Sequence, residues 1–504
     1  MSLFAARTAS ICDEMGAVLR HAAFSPNIKD RLDYSCAVFD RHGRMIAQAA
    51  HIPVHLGSMA HAMQGIVAAT DWHPGDVLIL NDPYLGGTHL PDVTLVAPVF
   101  AAGRICAFVA ARAHHADIGC PTPGSMPLAR RLDEEGVVIP PSLLVRAGVP
   151  DERWFAALLG HMRDPALSRG DFSAQAGAVS RGVERVAALA AATGSGGFDR
   201  AADALQDYGE TLARSLFAGL PRGTYSYTDL LDGDGFDALD IPIRVQVRLD
   251  TDGAQVDFGG TAAQVPGNVN CPLSVTAAAV YYVFFCLMPP GTPLCAGSLR
   301  PVSIAAPAGT LVNARPPAAV AAGNVETSTR IVDALLGALW QAIPARIPAA
   351  SHGSMNNLAM GGERWSYYET IGGGMGAHAA AAGQDAVQTH MTNTRNTPIE
   401  VLEADFPLRV VRYAIRRGSG GSGRHRGGDG IVREYEFRAD ATVTVLGERR
   451  RHGPWGTAGG SAGAPARTLL NGAALPAKIG FDVRAGDRLR IETAGGGGWG
   501  SADA

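Results

Sequence analysis

The sequence predicts a multidomain α+β fold, in which helices and strands mix in the N-terminal part and glycine-rich strands dominate the C-terminal part. Its 504 residues are 47% apolar, which is enough to bury a large core divided among several domains. Helical and strand periodicities change along the chain, and glycines concentrate towards its end. These changes divide the chain into regions 1–200, 201–350 and 351–504.

The first region, residues 1–200, mixes helical and strand periodicity and is predicted to be a mixed α/β unit. The expected elements are helices at 3–23 and 55–70, strands at 33–39, 76–80, 92–100 and 104–113, and helices from about residue 150 to 218. The turn Ala101-Ala102-Gly103 joins the last two strands, so they are expected to form an antiparallel pair.

The middle region, residues 201–350, is predicted to combine a hairpin with buried helices at 275–288 and 328–340. Strands at 240–249 and 255–258 flank Asp250-Thr251-Asp252-Gly253, which is a hairpin signal. The helix at 275–288 is the most apolar segment. Pro289-Pro290 closes it short of the roughly 20 residues needed to cross a bilayer, which favours a buried helix.

The C-terminal region, residues 351–504, is rich in glycine and contains β-strands. Its glycine runs are GGGMG at 372–376, GSGGSGRHRGGDG at 418–430 and GGGGWG at 495–500. Apolar strands at 410–415 and 431–437 lie among these runs. Tight turns in a β-rich domain are therefore a better interpretation than a flexible linker.

Charge and cysteine content limit the partners and the compartment. The net charge is −4 and no long basic block occurs, so neither nucleic acid nor a membrane surface is expected as a partner. The seven cysteines form no C-x-x-C pair, and the N-terminus lacks the pattern of a signal peptide. Reduced thiols and a cytoplasmic location are expected.

Candidate metal-binding residues concentrate in the first region. His89 and Asp92 lie at the start of the strand at 92–100, and His114-His115 follow its partner strand. The two ends are adjacent in an antiparallel pair. Together with Asp33, such imidazole and carboxylate groups suit Zn or Mn with open positions for water. Each residue alone could instead cap a turn or lie hydrogen-bonded in the core.

Other chemical motifs are weaker. Lys occurs only at Lys29 and Lys478, and no G-x-x-x-x-G-K-[ST] is present, which excludes a lysine-based phosphate loop. The run at 372–376 resembles such a loop in composition only. Ser461, in GGSAG, lacks the strand and helix of a nucleophile elbow. Cys36 and Cys120 lie near the candidate metal donors, but small buried cysteines are common.

A series of longer motifs runs in order from about residue 10 to residue 500. They are SPNIKDRLDYSCAVFD, NDPYLGGTHLPDVTLVAPVF, RAHHADIG, YYETIGGGMGA, THMTNTRNTPIEVLE, RRGSGGSGRHRGGDGIVREYEF, GERRRHGPWG and GGGGWG. Together they resemble the hydantoinase B/oxoprolinase family. That family comprises the B-type subunits of ATP-dependent cyclic amide hydrolases and the larger alpha subunits of acetone and acetophenone carboxylases.

The resemblance implies a metal site with Asp33, His89, Asp92 and His114 as ligands. It also implies that these residues act in catalysis through the metal-bound water and that the metal is Zn or Mn, with Fe as a further possibility. His115 is the alternative to His114, as ligand or as a residue supporting one. Adjacent strand residues point to opposite faces, so only one of the two histidines is expected to reach the metal.

The resemblance also implies a division of labour between two subunits. An A-type, hydantoinase A-like partner would use ATP and Mg to phosphorylate the carbonyl oxygen of a hydantoin, 5-oxoproline or lactam ring. The B-type chain would then supply a metal-bound hydroxide to the activated carbon. An A2B2 assembly is expected.

Two departures from the family pattern concern substrate choice. Cys120 stands where a second glycine is expected after Gly119, and the middle region follows the family only loosely. The segment THMTNTRNTPIE contains a cluster of four polar residues, Asn393, Arg395, Asn396 and Glu400. These residues are candidates for substrate or interface contacts, and a structural turn network is the alternative.

Two alternative functions remain open from the sequence. A carboxylase alpha subunit could use the same metal site, although such subunits are longer than this chain. The second alternative is a non-catalytic scaffold that only assembles the A-type partner. The presence of all four candidate ligands argues against this scaffold function.

Overall fold

The structure is a computed structural model that describes residues 1–49, 51–194 and 196–502. The α-helices within these ranges are α1 Ser2–Ala22, α2 Pro26–Lys29, α3 Pro53–Ala69, α4 Glu152–Leu159, α5 Pro165–Thr193, α6 Gly197–Ala218, α7 Leu273–Leu287, α8 Ser328–Trp340 and α9 Ile399–Asp405. A π-helical turn at Gly323–Thr327 leads directly into α8. None of the described helices is long and apolar enough to cross a membrane.

A seven-stranded sheet organises the first part of the chain. Its strands are β1 Tyr34–Asp40, β2 Met45–Gln48, β3 Val77–Leu80, β4 Asp92–Ala101, β5 Arg104–His114, β6 Ser142–Arg146 and β7 Val149–Pro150. They lie in the order β2-β1-β5-β4-β3-β6-β7. The helices expected at 3–23 and 55–70 are present as α1 and α3, and the predicted pairing of β4 with β5 is confirmed.

Helices cover both faces of this sheet, which explains why its central strands are buried throughout. Side chains alternate between the two faces of a strand. On β1, Val38 packs in the core with α1 and α5, whereas Phe39 packs with α3. Val109 and Phe108 on β5 divide in the same way. The sheet is therefore a rigid middle layer, and the loops at its ends are held on both sides.

The middle part of the chain forms a second sheet with α7 and α8 packed against it. Its strands are β8 Gly223–Gly233, β9 Leu239–Asp250, β10 Gly253–Asp257 and β11 Val302–Ala305, in the order β11-β10-β9-β8. The predicted hairpin is confirmed as β9 and β10. The predicted helices at 275–288 and 328–340 are confirmed as α7 and α8, whereas β8 was not expected.

The last part of the chain forms two further sheets. Their strands are β12 Asn357–Gly361, β13 Ser366–Glu369, β14 Leu408–Arg416, β15 Gly430–Phe437, β16 Ala441–Leu446, β17 Arg467–Leu470, β18 Ala473–Leu475, β19 Lys478–Val483 and β20 Arg488–Glu492. One sheet has the order β13-β12-β16-β19 and the other β14-β15-β20-β17-β18. The predicted strands at 410–415 and 431–437 are confirmed within β14 and β15. The region boundaries near 200 and 350 stay predictions.

The three glycine runs do not form the tight turns that the sequence predicted. Among their glycines, only Gly418 and Gly500 have φ in the left-handed region. The runs instead lie side by side, and their backbones hydrogen-bond across, as in Gly428 N to Met375 O at 2.8 Å and Gly496 N to Gly428 O at 2.9 Å. Glycine is needed there because neighbouring backbones occupy the space of a side chain.

Candidate metal centre

The start of β4 and the end of β5 bring two predicted ligands together. Asp92 and His114 face each other directly in the strand register. The Asp92 Oδ1 atom lies 3.1 Å from His114 Nδ1 and 3.1 Å from His89 Nε2. One ligand atom from each of these three residues lies within 4.8 Å of the others. The antiparallel pairing thus builds a compact cluster of two imidazoles and one carboxylate.

The two histidines present nitrogen atoms in a buried place. Within the described parts of the chain, His114 Nε2 is buried and has no hydrogen-bond partner, and His89 Nε2 is buried with only Asp92 Oδ1 beside it, at 3.1 Å. His89 Nδ1 lies 3.3 Å from the Ala321 carbonyl oxygen, to which a protonated Nδ1 donates. Buried polar atoms normally have partners. Two imidazoles and a carboxylate gathered at one buried point fit a divalent metal such as Zn, Mn or Fe.

The second carboxylate oxygen of Asp92, Oδ2, contacts three side chains that fix the orientation of the carboxylate. The Thr88 hydroxyl donates to Asp92 Oδ2 at 2.6 Å, and the Asn324 amide donates to it at 3.3 Å. His55 Nε2 lies 3.1 Å from the same oxygen. These contacts leave Oδ1 directed towards His89 and His114. The carboxylate is therefore oriented before any ion binds, as is usual for residues that support metal ligands.

Burial and the neighbouring charges shift the pKa values of all three residues, and for Asp92 and His114 they favour the form that binds a metal. Burial opposes the charged form of Asp92, but His55 and His89 beside it hold its pKa well below the usual range. Burial lowers the pKa of His114, although Asp92 opposes that shift. For His89 the Asp92 carboxylate outweighs burial and raises the pKa. A negative Asp92 beside a neutral His114 provides the charge and the lone pair that a metal ion requires.

Asp33 and His115, the other two predicted site residues, lie next to this cluster but outside it. Asp33 Oδ1 is 3.9 Å from His55 Nε2, and its other oxygen is 3.6 Å from Arg31. The Asp33 carbonyl accepts from the His114 N–H at 3.0 Å. His115 turns away, with Nε2 3.0 Å from Gln175 Oε1 and its ring stacked on Phe172. Asp33 as a fourth ligand stays a prediction.

The predicted polar cluster at 393–400 is spread over several contacts. The Asn393 amide donates to the His51 carbonyl at 3.2 Å, and the Asn396 amide donates to Glu369 at 3.0 Å. The Arg395 backbone N–H donates to the Arg31 carbonyl at 2.9 Å. Glu400 is exposed in the first turn of α9. The segment thus ties the C-terminal part of the chain to the N-terminal part, and a role in substrate binding stays a prediction.

The weaker candidate nucleophiles show no activation. Burial raises the pKa of Cys120 to about 11 and also raises that of Cys36, so both thiols stay protonated near neutral pH. Ser461 lies in an exposed loop, where its hydroxyl is 3.0 Å from that of Ser422.

Sequence reasoning missed four residues that support the cluster, of which Thr88 lies next to His89 in the chain and donates to Asp92. His55 lies on α3 and Asn324 in the π-helical turn, and both contact Asp92. Glu135 accepts from the backbone N–H groups of Val320 and Ala321, the latter at 2.8 Å, and so fixes the carbonyl that faces His89. The sequence does contain an indication for His55, because a polar side chain in an apolar helix needs a partner when it is buried. For Asn324 and Glu135 the sequence contains no such indication.

Glu326, in the same π-helical turn as Asn324, is a buried carboxyl group with a raised pKa. Its Oε1 accepts from Met355 N at 3.0 Å and from the Asn357 amide at 2.7 Å. Burial, together with the nearby Glu448 charge, raises its pKa from 4.5 to about 7. The folded protein therefore holds this proton over a range in which the unfolded chain releases it.

We expect Glu326→Gln to flatten the pH dependence of stability. Because the folded-state pKa is raised, the favourable contribution of Glu326 is complete below pH 4.5 and is lost as the pH rises through about 7. Gln keeps the acceptor oxygen and does not titrate. Relative to the variant, the wild type should lose on the order of 3 kcal/mol across this interval. Urea unfolding at a series of pH values measures the difference, and parallel profiles would contradict it.

The fold and the site together define a mixed α/β protein with a buried cluster of two histidines and one aspartate that could hold a metal ion. The chain belongs to the hydantoinase B/oxoprolinase family, whose model matches residues 1–502.

Similar chains occur in archaea, plants and bacteria. An uncharacterised protein of Methanocaldococcus jannaschii is 39% identical, with 98% of this chain and 89% of the relative covered. The 5-oxoprolinase 1 of Arabidopsis thaliana is 38% identical, with 99% of this chain and 42% of the relative covered. The putative B-type subunit of a D-/L-hydantoinase from a Pseudomonas species is 32% identical, with 89% and 79% covered. The chain thus spans less than half the length of the plant oxoprolinase.

Two solved structures share the fold. The ATP-dependent caprolactamase of Pseudomonas jessenii matches with a TM-score of 0.92 at 29% identity, covering 99% of this chain and 90% of the other. A nucleotide-free acetone carboxylase matches with a TM-score of 0.87 at 18% identity, covering 99% and 75%. At 18% identity, the similarity to acetone carboxylase shows only a shared fold.

Proposed function

We propose that this chain is the B-type subunit of an ATP-dependent enzyme that opens cyclic amides of the hydantoin, 5-oxoproline or lactam type. The observation that carries the proposal is the buried cluster of His89, Asp92 and His114, with the unpartnered nitrogen His114 Nε2, in a chain of this family. The similarity of this chain to a 5-oxoprolinase and to an ATP-dependent caprolactamase supports this class of reaction.

His89, Asp92 and His114 would hold a divalent metal, with Asp33 beside them. A bound metal of this kind lowers the pKa of a coordinated water, to about 7 in favourable zinc sites, and so supplies a nucleophile near neutral pH. The chain's own residues set the geometry. Asp92 is oriented through its Oδ2, and the Ala321 carbonyl fixes the ring of His89. The buried position limits the access of bulk water to the reacting carbonyl.

We assign ATP and Mg to an A-type partner, because this chain is poorly equipped to bind phosphate through lysine. Of its two lysines, Lys478 is buried and paired with Glu448. Phosphorylation of the amide carbonyl oxygen on the partner would convert a poor electrophile into a reactive one. Such an intermediate hydrolyses wastefully in water, so the two active sites should face one another across a closed interface. A symmetric A2B2 complex meets that need.

The two other functions fit less well. The acetone carboxylase likeness stands at 18% identity and supports only a shared fold. A pure scaffold would have no use for a buried, unpartnered imidazole nitrogen such as His114 Nε2, since leaving it unpaired costs stability.

The test is ring opening by the purified complex of this chain with an A-type subunit. Hydantoin, 5-oxoproline and ε-caprolactam are each incubated with the complex and with each subunit alone, with and without ATP and Mg. We expect ring opening only by the complex and only with ATP, and none with a non-hydrolysable ATP analogue. Ring opening by the isolated chain without ATP, at a rate comparable to that of the complex, would replace the proposal with a self-sufficient metallohydrolase.

A further inference from the structure

Tyr368 on β13 stacks on His114 of the candidate metal centre. The centroids of the two rings lie 4.7 Å apart, and the ring planes differ by only 13°. Tyr368 is 2% exposed, so the contact is buried. β13 lies in the last part of the chain, whereas His114 ends β5 of the first sheet. A side chain from a distant part of the sequence therefore forms one wall of the centre.

Arg31 provides a second contact that holds the Tyr368 ring. Its guanidinium carbon lies over the ring at 4.8 Å from the centroid, where a cation is attracted to an aromatic face. The Arg31 Nη1 atom also donates to the Tyr368 carbonyl oxygen at 2.9 Å. Arg31 Nη2 lies 3.6 Å from Asp33, the predicted fourth ligand. Both the ring and the backbone of Tyr368 are thus tied to the segment that carries Asp33.

The Tyr368 hydroxyl is anchored by a hydrogen bond of fixed direction. It donates to Asn357 Oδ1 at 2.7 Å. The Asn357 amide nitrogen, which has two hydrogens, donates to Glu326 Oε1 at 2.7 Å and to the Leu446 carbonyl at 2.9 Å. Asn357 cannot flip without losing both of these bonds. The surrounding structure therefore sets the position of the phenol ring independently of His114.

We propose that Tyr368 is a positioning residue that sets the plane of the His114 imidazole and so the directions of its two nitrogen atoms. The contact with Asp92 holds His114 Nδ1 alone, and a ring held at one atom can still tilt. Stacking on a fixed ring removes that freedom before an ion binds, which lowers the entropy cost of binding. The inference rests on the metal centre of the proposed function and makes metal binding depend on the last part of the chain.

Tyr367, the neighbour of Tyr368, offers a matched control. It is equally buried, at 2% exposure. Its hydroxyl donates to Glu369 Oε2 at 2.9 Å, and its ring packs against Phe406 with centroids 5.0 Å apart. Adjacent residues of a strand point to opposite faces, so Tyr367 points away from His114. Both tyrosines stabilise the core, but only Tyr368 contacts the metal centre.

Metal affinity tests the inference apart from enzyme activity. The purified chain is freed of metal with a chelator, and its affinity for Zn²⁺ is measured by competition with a chelating dye. Tyr368→Leu keeps an apolar side chain but loses the flat face, and should bind Zn²⁺ about 10- to 100-fold more weakly than the wild type. Tyr368→Phe keeps the flat face and should bind within about threefold of the wild type. Tyr367→Leu should bind as the wild type does.

Bound Co²⁺ gives a readout that a loss of core packing alone would not change. Its visible absorption depends on the number and geometry of its ligands. Tyr368→Leu should alter this spectrum, Tyr368→Phe should restore it, and Tyr367→Leu should leave it unchanged. Wild-type Zn²⁺ affinity or an unaltered Co²⁺ spectrum in folded Tyr368→Leu would overturn the inference, and so would an equal effect of Tyr367→Leu.

Fluorotyrosine labelling of the wild type decides the question if Tyr368→Leu does not fold. Zn²⁺ should shift the fluorine NMR resonance that is missing from Tyr368→Phe, because that ring lies against His114. The resonance missing from Tyr367→Phe should stay in place, and equal responses of the two would contradict the inference. A wild-type chain that binds no divalent metal would overturn the proposed function as well, whereas wild-type metal binding in Tyr368→Leu would overturn this inference alone.

Discussion

In a complex with the proposed A-type partner, His114→Ala is expected to reduce ring opening by about 10³-fold, because the proposed metal centre would contribute several kcal/mol to stabilising such transition states. His114 Nε2 is a buried, unpartnered nitrogen on the ring whose Nδ1 faces Asp92, so Ala removes one of the three proposed ligands. ATP hydrolysis on the partner should persist. The variant should therefore separate nucleotide consumption from product formation, which a coupled assay of phosphate and ring-opened product measures.

His115→Gln is the matched control for this change. His115 is the neighbour of His114 in sequence, but it contacts Gln175 and packs on Phe172. The amide of Gln can still donate to Gln175, so we expect activity within about tenfold of the wild type. A larger loss in His115→Gln than in His114→Ala would show that the ligand assignment has chosen the wrong histidine.

Gly374→Ala is expected to destabilise the protein by more than about 3 kcal/mol or to prevent folding, since overpacking against backbone cannot relax. A Cβ at Gly374 would lie 1.9 Å from the Gly428 carbonyl oxygen and 2.4 Å from Gly496 N. All three glycine runs meet at this point. Thermal unfolding of the two proteins measures the change.

Gly65→Ala supplies the control for the glycine prediction. Gly65 lies within α3, and a Cβ there would meet no atom within 4 Å. Ala is favoured over Gly inside a helix by up to about 1 kcal/mol, so this variant should match or exceed the wild type in stability. If Gly374→Ala were as stable as Gly65→Ala, the close packing of the glycine runs would be wrong.

The part of the site that could be predicted from sequence depends on local pairing. Alternating strands around a three-residue turn predict that β4 and β5 pair, and that pairing alone places Asp92 opposite His114. His89 follows from its position three residues before Asp92. Short-range rules thus bring His89, Asp92 and the pair His114-His115 together, because one hairpin carries them, and the family resemblance selects His114 from that pair.

The remaining features depend on distant parts of the chain. His55 and Asn324 reach Asp92 from α3 and from the π-helical turn, and no periodicity in either segment indicates that approach. The glycine runs were mistaken for turns for the same reason. Glycine permits both a left-handed turn and a close backbone approach, and only the neighbouring runs decide between them. Tertiary packing, rather than local propensity, determines these features.

The metal content of the purified chain tests the central claim most directly. If His89, Asp92 and His114 share one ion, elemental analysis of the wild type and of His115→Gln should give about one equivalent of a first-row divalent metal. His89→Ala and Asp92→Ala should each lose most of it while circular dichroism shows an unchanged fold. Stoichiometric metal in both of these variants would contradict the assignment of the centre.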